Sequence, residues 1–379
     1  MSLTGGLFLS LVAGVAIGAF VVLVVRWPSL TGRSPWRIAA RVGTLVLVNV
    51  LVLLTAATQL NARYLFFADW TDLQGAMNGT VIKTSVTRGA AAAKAASRSL
   101  PGPAATTPVS RPSLPAGATE GKATTYTVHG PLSGLDSTVV VQLPRGYLNL
   151  ANAGVSYPVL ETFQGYPGSP NQWVTAMPLK AVMTVEVDAR RMRPALIVSP
   201  QVEIPAGVDT EGVNGRPGFP QLETWLSQDV PNWVARTFRV STNRSSWATI
   251  GLSAGGWCAA MTTMLHPAQY GAAIVLGGYF RPEFGPLYEP YPAKSALAAR
   301  YDLLALTKRA PPTVALWLET SHSDSVSYSS SAALLTAVRP PLSVKAVVLR
   351  HAGHRLSVWE ALLPDALTWL GANVPGFSP

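Results

Sequence analysis

Cysteine and histidine are scarce in this chain of 379 residues, which contains one cysteine and five histidines. The single cysteine, Cys258, has no partner for an internal disulfide. One thiol and five histidines also supply few of the ligands that Cys/His metal clusters need. Residues 209–215 are acidic, but their acids do not follow the spacing of an EF-hand loop. The sequence therefore predicts no metal site and no cofactor.

Charged residues are also few, at 13%, whereas hydrophobic residues make up 48% of the chain. This balance is unusual for a purely soluble protein, and two uncharged runs at residues 5–25 and 42–62 account for it. Each run has about the 20 residues that a helix needs to cross a bilayer. A cleaved signal peptide is the alternative for the first run, but no basic segment precedes it and Arg26 directly follows it. We predict a two-helix membrane anchor over residues 1–63.

The connection between the two apolar runs is basic. It contains Arg26, Arg33, Arg37 and Arg41 and no acidic residue. Short loops rich in arginine stay on the cytoplasmic side of a membrane. We therefore expect a multi-pass protein of the cell membrane, with both termini and everything after Ala62 outside the cytoplasm.

The net charge of +10 is unevenly distributed. Residues 1–122 hold eleven Lys/Arg and three Asp/Glu, whereas residues 123–379 hold eighteen and sixteen. The excess positive charge thus lies near the predicted membrane, where anionic lipid head groups attract it. A nucleic-acid partner is not predicted.

The rest of the chain divides into a linker and a folded domain. Residues 64–78 are aromatic, typical of a membrane interface, and residues 88–122 are rich in Ala, Pro, Ser and Thr, typical of a flexible tether. From residue 123, β-rich runs give way to alternating strands and helices, which predicts an α/β domain with a mostly parallel sheet covered by helices on both faces. The predicted strands are 124–129, 137–143, 157–163, 195–199, 247–250, 272–276, 313–318 and 344–349, and the predicted helices are 224–237, 254–265, 328–338 and 357–370.

Ser253 stands at the centre of the motif Gly251-Leu252-Ser253-Ala254-Gly255. A short apolar run precedes the motif and a helical pattern follows it. A strand, a sharp turn and a helix form the context of a nucleophile elbow, in which the helix N-terminus favours developing negative charge. We predict that Ser253 is a nucleophile, with a polar residue in a structural turn as the alternative.

A serine nucleophile needs a base, and the five histidines are the candidates. His129 falls in the first predicted strand, His266 at the end of the helix after the motif, and His322 in a loop with an acidic residue. His351 and His354 follow the last predicted strand, in the loop expected to lie over the nucleophile. We predict His354 because it stands further into that loop, with His351 as the alternative.

Two acidic residues could orient the base. The chain order Ser, then Asp or Glu, then His places the acid after the penultimate strand. Asp324 lies in the loop there, and Glu319 lies at the predicted end of the strand. Asp324 is the better placed to reach the imidazole, and Glu319 remains the runner-up.

An acyl-transfer site also needs N–H donors for the oxyanion. The Ala254 N–H, directly after the nucleophile, is the first candidate. The second is expected in the Gly/Pro-rich loop of residues 163–173, where we predict the Tyr166 N–H. Pro167 has no N–H and is excluded.

These segments together resemble a known family. GLSAGGWCAAM, QGYPGSPNQW and HAGHRLSVWEALLPDALTWL are similar to the putative-esterase branch of the α/β-hydrolases, which includes esterase D type enzymes and antigen 85 type mycolyltransferases. The likeness covers roughly residues 124–373 and is greatest to membrane-anchored actinobacterial members. It implies an α/β-hydrolase fold, Ser253 as nucleophile, His354 as base and an acid between Glu319 and Asp324. Many relatives have His-Gly where this chain has Gln164-Gly165.

The sequence thus predicts a membrane-tethered serine esterase with a Ser253–His354–Asp324 triad in residues 123–379, and with no cofactor. Its expected substrate is a lipid or glycan ester of the cell envelope. An acyltransferase of mycolyltransferase type is one alternative, since it shares the same acyl-enzyme. A catalytically silent ligand-binding domain and a peptidase on the same fold are the others.

Overall fold

A computed structural model describes residues 2–79, 83–88, 114, 117–285 and 287–379 of the chain. Contacts between residues divide the chain into two compact units. The smaller comprises Met1–Ile82 together with His351–Arg355, and the larger comprises Lys83–Arg350 together with Leu356–Pro379. A short loop from near the C-terminus therefore belongs to the N-terminal unit.

The smaller unit contains two long apolar helices, Gly6–Arg26 and Pro35–Tyr64. Both are long and apolar enough to cross a membrane, a property that a signal sequence near an N-terminus shares. Pro35 occupies the first turn of its helix, where its missing N–H costs nothing. Leu65 ends that helix in the left-handed conformation, with φ of 54°.

A third helix, Trp70–Met77, follows in the segment predicted to be a membrane interface. Asp69 caps it by accepting a hydrogen bond from the Asp72 N–H at 2.8 Å. This helix was not predicted from the sequence. Most of the predicted linker, residues 88–122, lies outside the described residues.

The larger unit is built on a sheet of nine described strands in the order β1-β9-β8-β7-β6-β4-β5-β3-β2. The central strands from β9 to β5 pair in parallel, whereas β1, β3 and β2 pair antiparallel at the two edges. The strands are β1 Lys83–Arg88, β2 Ala123–Gly130, β3 Leu135–Gln142, β4 Val159–Phe163, β5 Leu196–Pro200, β6 Trp247–Leu252, β7 Ala272–Leu276, β8 Ala315–Ser321 and β9 Ser343–Leu349.

Helices cover both faces of this sheet. Every residue of β4, β5, β6 and β7 is buried, and successive side chains of a strand point to opposite faces. The α-helices are Gln172–Thr175, Leu179–Asp188, Leu222–Thr224, Val230–Thr237, Ala254–Leu265, Ala296–Arg300, Leu303–Arg309, Tyr328–Ala337, Leu356–Glu360 and Leu363–Asn373, with a π-helical turn at Trp225–Asp229. The predicted α/β fold with a mostly parallel sheet is confirmed, and β1 is an edge strand that the sequence analysis did not predict.

A buried carboxylate, Glu223, joins three parts of the larger unit. It accepts hydrogen bonds from His266 Nε2 at 2.7 Å and from the Tyr301 hydroxyl at 2.6 Å, and it pairs with Arg300. Burial raises the pKa of Glu223, but the hydrogen bonds from these three side chains outweigh burial and lower it to about 2. His266 also occupies the C-cap position of the helix Ala254–Leu265.

Glu223→Gln is expected to destabilise the fold in a pH-dependent way. Because the pKa of Glu223 is lower in the folded than in the unfolded chain, its stabilisation is complete above the unfolded pKa and is lost as pH falls toward 2. The pKa shift corresponds to about 3 kcal/mol at pH 7. Urea unfolding of the detergent-solubilised chain at pH 7 and pH 3 measures this. A destabilisation equal at both pH values would contradict it. Asp188→Asn, which removes the exposed pair with Arg145, is the control and should cost little.

Candidate active site

The candidate site lies at the carboxyl edge of the parallel strands, where the strand order reverses. β4 lies between β5 and β6, so the chain leaves β4 in one direction and later returns to its other side. Open α/β sheets bind ligands outside the carboxyl ends of their strands at such a reversal. The loop after β4 and the turn after β6 both begin at this point.

Ser253 occupies the sharp turn between β6 and the helix Ala254–Leu265. Its φ of 56° and ψ of −124° are unusual for a residue with a side chain. The surrounding main chain holds this conformation, since the Ser253 N–H donates to Leu276 O at 2.9 Å and its carbonyl accepts from the Gly256 N–H at 2.8 Å. This is the strand–turn–helix geometry of a nucleophile elbow.

The glycines of the motif are required by close main-chain approaches. A Cβ on Gly251 would overlap the carbonyl of Gly255, and a Cβ on Gly255 would overlap the carbonyl of Phe163, the last residue of β4. Gly165 lies so close to the turn that a Cβ there would be 3.4 Å from the Ser253 Cβ. The turn after β6 and the loop after β4 therefore pack directly against each other.

Both predicted oxyanion donors lie in these two segments. The Ala254 N–H opens the helix after Ser253, where first-turn N–H groups have no acceptor within the helix. Tyr166 directly follows Gly165, and its hydroxyl donates to the Gly207 carbonyl at 3.2 Å.

Two side chains that the sequence analysis missed hold the loop containing Tyr166. Gln172 accepts a hydrogen bond from the Gly165 N–H at 2.9 Å. Glu203 accepts hydrogen bonds from the Gly168 N–H at 2.5 Å and the Gly207 N–H at 3.2 Å. Glu203 stands beyond β5, far from the motifs, so only the folded chain shows this role.

Asp324 and Glu319 lie close together but differ in electrostatics. Glu319 is inside β8 and 2% exposed, and one of its carboxylate oxygens has no hydrogen-bond partner among the described residues. Burial, and then the negative charge of Asp324, raise the pKa of Glu319 to about 8, so it is largely protonated at pH 7.

Asp324 is also buried, and two donors contact its carboxylate. Its side chain accepts hydrogen bonds from the Val326 N–H at 3.0 Å and the Ser327 hydroxyl at 2.6 Å. These bonds fix the carboxylate in the loop just beyond β8. Asp324 thus has hydrogen-bond donors at its carboxylate, whereas Glu319 has an oxygen without a partner among the described residues.

Four of the histidines make the following side-chain contacts. His129 is exposed on β2 and pairs with Asp136, whereas His266 contacts Glu223. His322 packs on the Tyr328 ring, with 4.5 Å between ring centroids, and His351 bonds Asp69. His354 follows β9, and its main-chain N–H donates to Leu65 O at 2.8 Å within the smaller unit.

The described part of the chain contains no group of three His, Cys, Asp or Glu residues that could hold a metal ion.

Comparison with known proteins gives one family and several solved structures of similar fold. Residues 133–370 match the family described as Putative esterase. An uncharacterized protein of Corynebacterium glutamicum is 27% identical over 162 residues, which cover 40% of this chain and 35% of that relative. The chain therefore spans about a third of the length of this relative.

Solved structures share the fold of the larger unit. A ferulic acid esterase aligns with a TM-score of 0.54 and 20% identity, over 66% of this chain and 96% of that one. An S-formylglutathione hydrolase from Agrobacterium tumefaciens aligns with a TM-score of 0.56 and 14% identity, over 66% and 94% of the two chains. A fluorophosphonate-binding serine hydrolase of Staphylococcus aureus aligns with a TM-score of 0.54 and 15% identity, over 66% and 99%. The α/β-hydrolase fold is thereby confirmed.

Proposed function

Since this chain belongs to the putative-esterase family and has the α/β-hydrolase fold, we propose that it cleaves a carboxylic ester through an acyl-enzyme on Ser253. The observation that carries the proposal is the conformation of Ser253. A serine at φ of 56° between β6 and a helix N-terminus is strained, and the turn places this residue at the carboxyl edge of the sheet.

The reaction proceeds in two halves. His354 takes the Ser253 proton as the hydroxyl oxygen attacks the ester carbonyl, and the N–H groups of Ala254 and Tyr166 stabilise the oxyanion. The tetrahedral intermediate then expels the alkoxide, which receives the proton from His354. Water attacks the acyl-enzyme with His354 again as base, and releases the carboxylic acid and free Ser253. Asp324 holds the imidazole and stabilises its protonated form.

His354 is proposed as base because of its place in the chain. It follows β9, and the strands β9, β8, β7 and β6 all run in the same direction. The loops after these strands therefore leave the sheet at the same edge. Asp324 stands in the loop after β8, between serine and histidine in chain order.

We further propose that the enzyme acts outside the cytoplasm, on a lipid or glycan ester of the cell envelope. The two apolar helices support a membrane anchor, and the four arginines between them support an outward-facing catalytic domain. An acyltransferase of mycolyltransferase type is the second candidate, because an acceptor hydroxyl could replace water in the second half of the reaction.

Product analysis with the full-length chain in lipid nanodiscs tests this function. We expect p-nitrophenyl butyrate to be hydrolysed to butyrate, and a fluorophosphonate probe to label Ser253 and to block turnover. A butyryl ester formed only with an added glycolipid would show a transferase instead. Absence of both labelling and turnover in the folded chain would show a binding domain without catalysis, and comparison with a matched p-nitroanilide would reveal a peptidase.

A further inference from the structure

The loop that contains His354 is bound to the segment following the second apolar helix, within the smaller unit. Asp72 is central to this contact. Its Oδ2 accepts hydrogen bonds from the Gly353 N–H at 2.8 Å, from Arg355 Nη1 at 2.6 Å and from the Ala68 N–H at 3.0 Å. The Asp72 and Arg355 side chains are 2% and 11% exposed. If Asp72 and Arg355 separated, each would leave the other's charge buried without a partner, which is costly. The pair therefore holds the loop against residues 68–72.

The main chain around His354 is held by the same segment. The His354 N–H donates to Leu65 O at 2.8 Å, and Arg355 Nη1 also donates to Phe66 O at 2.8 Å. A Cβ on Gly353 would overlap the Leu65 and Phe66 carbonyl groups, so only glycine permits this approach. The residues on both sides of His354 are therefore fixed by residues 65–72.

The segment that holds the loop is itself well ordered by local bonds. The Asn61 side chain donates to Phe67 O at 2.9 Å and accepts from the Phe67 N–H at 2.7 Å, and Asn61 is only 9% exposed. Asp69 caps the helix that contains Asp72 and also bonds His351 Nδ1 at 2.9 Å. These contacts fix the chain that follows the second apolar helix, to which the His354 loop is bound.

We propose that residues 61–72 position the His354 imidazole for proton transfer, with Asp72 as the main positioning residue. The inference rests on the proposed function, in which His354 is the base. A misplacement of about 1 Å in a reacting group can cost on the order of 100-fold in rate. The N-terminal anchor would then contribute to catalysis as well as to location.

A double-mutant cycle in the full-length chain in nanodiscs tests this inference with p-nitrophenyl butyrate. Asp72→Asn keeps the side-chain shape but removes the charge that faces Arg355. We expect it to lower kcat about 30-fold with KM changed less than about two-fold. In a His354→Ala background the same change should cause no further loss, because the base that it positions is gone. Asp136→Asn, which breaks the exposed pair with His129, is the matched control and should leave kcat unchanged.

Each result has a distinct meaning. No loss of kcat in Asp72→Asn, or an equal loss with and without His354, would overturn the inference and leave Asp72 a general structural role. Full activity of Ser253→Ala or His354→Ala would instead overturn the proposed function. If Asp72→Asn does not accumulate as folded protein, Asp69→Asn at the more exposed end of the network replaces it in the cycle, with an expected loss of about three- to ten-fold.

Discussion

Replacement of Ser253 by alanine is expected to lower kcat for short p-nitrophenyl esters by on the order of 10⁴-fold or more. The alanine variant keeps the turn but has no hydroxyl to form the acyl-enzyme, so only the slow attack of water on the bound ester remains. KM should change little, because the Ser253 side chain contributes to the transition state rather than to substrate binding. The measurement is steady-state turnover by the purified full-length chain in nanodiscs.

Ser245→Ala is the matched control for this experiment. Ser245 lies just before β6, and its hydroxyl bonds Asn243 within its own turn at 3.0 Å. We expect Ser245→Ala to retain wild-type kcat. Turnover by Ser253→Ala within ten-fold of wild type would exclude the acyl-enzyme at Ser253.

The second large effect distinguishes the two candidate acids. Asp324→Asn is expected to lower kcat by on the order of 10³- to 10⁴-fold, since an amide cannot stabilise the imidazolium or hold the correct tautomer. Glu319→Gln is expected to leave kcat within about three-fold at pH 7, because the Glu319 carboxyl, with a pKa of about 8, is already largely neutral there.

The same assay at pH 7 compares these two variants, and thermal unfolding checks that both are folded. A larger loss in Glu319→Gln than in Asp324→Asn would assign the acid to β8 and reverse the proposed roles. It would also show that Glu319 is ionised at pH 7, although burial and the neighbouring Asp324 charge raise its pKa.

Local patterns predicted much of the fold. The helix after Ser253 and the strand β7 have the predicted bounds. The strand is an uninterrupted apolar run between Gly271 and Gly277, and the helix lies between the Ser253 turn and the His266-Pro267 pair. The motif around Ser253 also predicted its turn, since Gly251 and Gly255 stand where side chains would collide. Residues 357–370 were predicted as one helix but form two, Leu356–Glu360 and Leu363–Asn373, separated by a short turn that the apolar pattern did not reveal.

Features that depend on distant partners could not be predicted. β1 is short, and it becomes a strand only by pairing with β9 near the other end of the chain. The raised pKa of Glu319 depends on its burial and on the nearby charge of Asp324, neither of which spacing reveals. Asp72 and Gly353, which are hydrogen-bonded in the loop of His354, stand 281 positions apart in the sequence. Neither segment has a motif that indicates the other.

The pairing of β1 with β9 has a consequence for the order in which the chain is made. Lys83 pairs with Leu349 and Arg88 with Val344, so β1 leaves the ribosome long before its partner exists. Proteins fold from the N-terminus as they are synthesised, and pairings between distant residues form late. The outer edge of β9 is covered by a strand made in advance, which prevents that edge from pairing with another chain. The sheet is therefore completed at this edge only after β9 has been synthesised. In a nascent chain stalled before Ser343, β8 would be an unpaired edge strand, open to pairing with other chains.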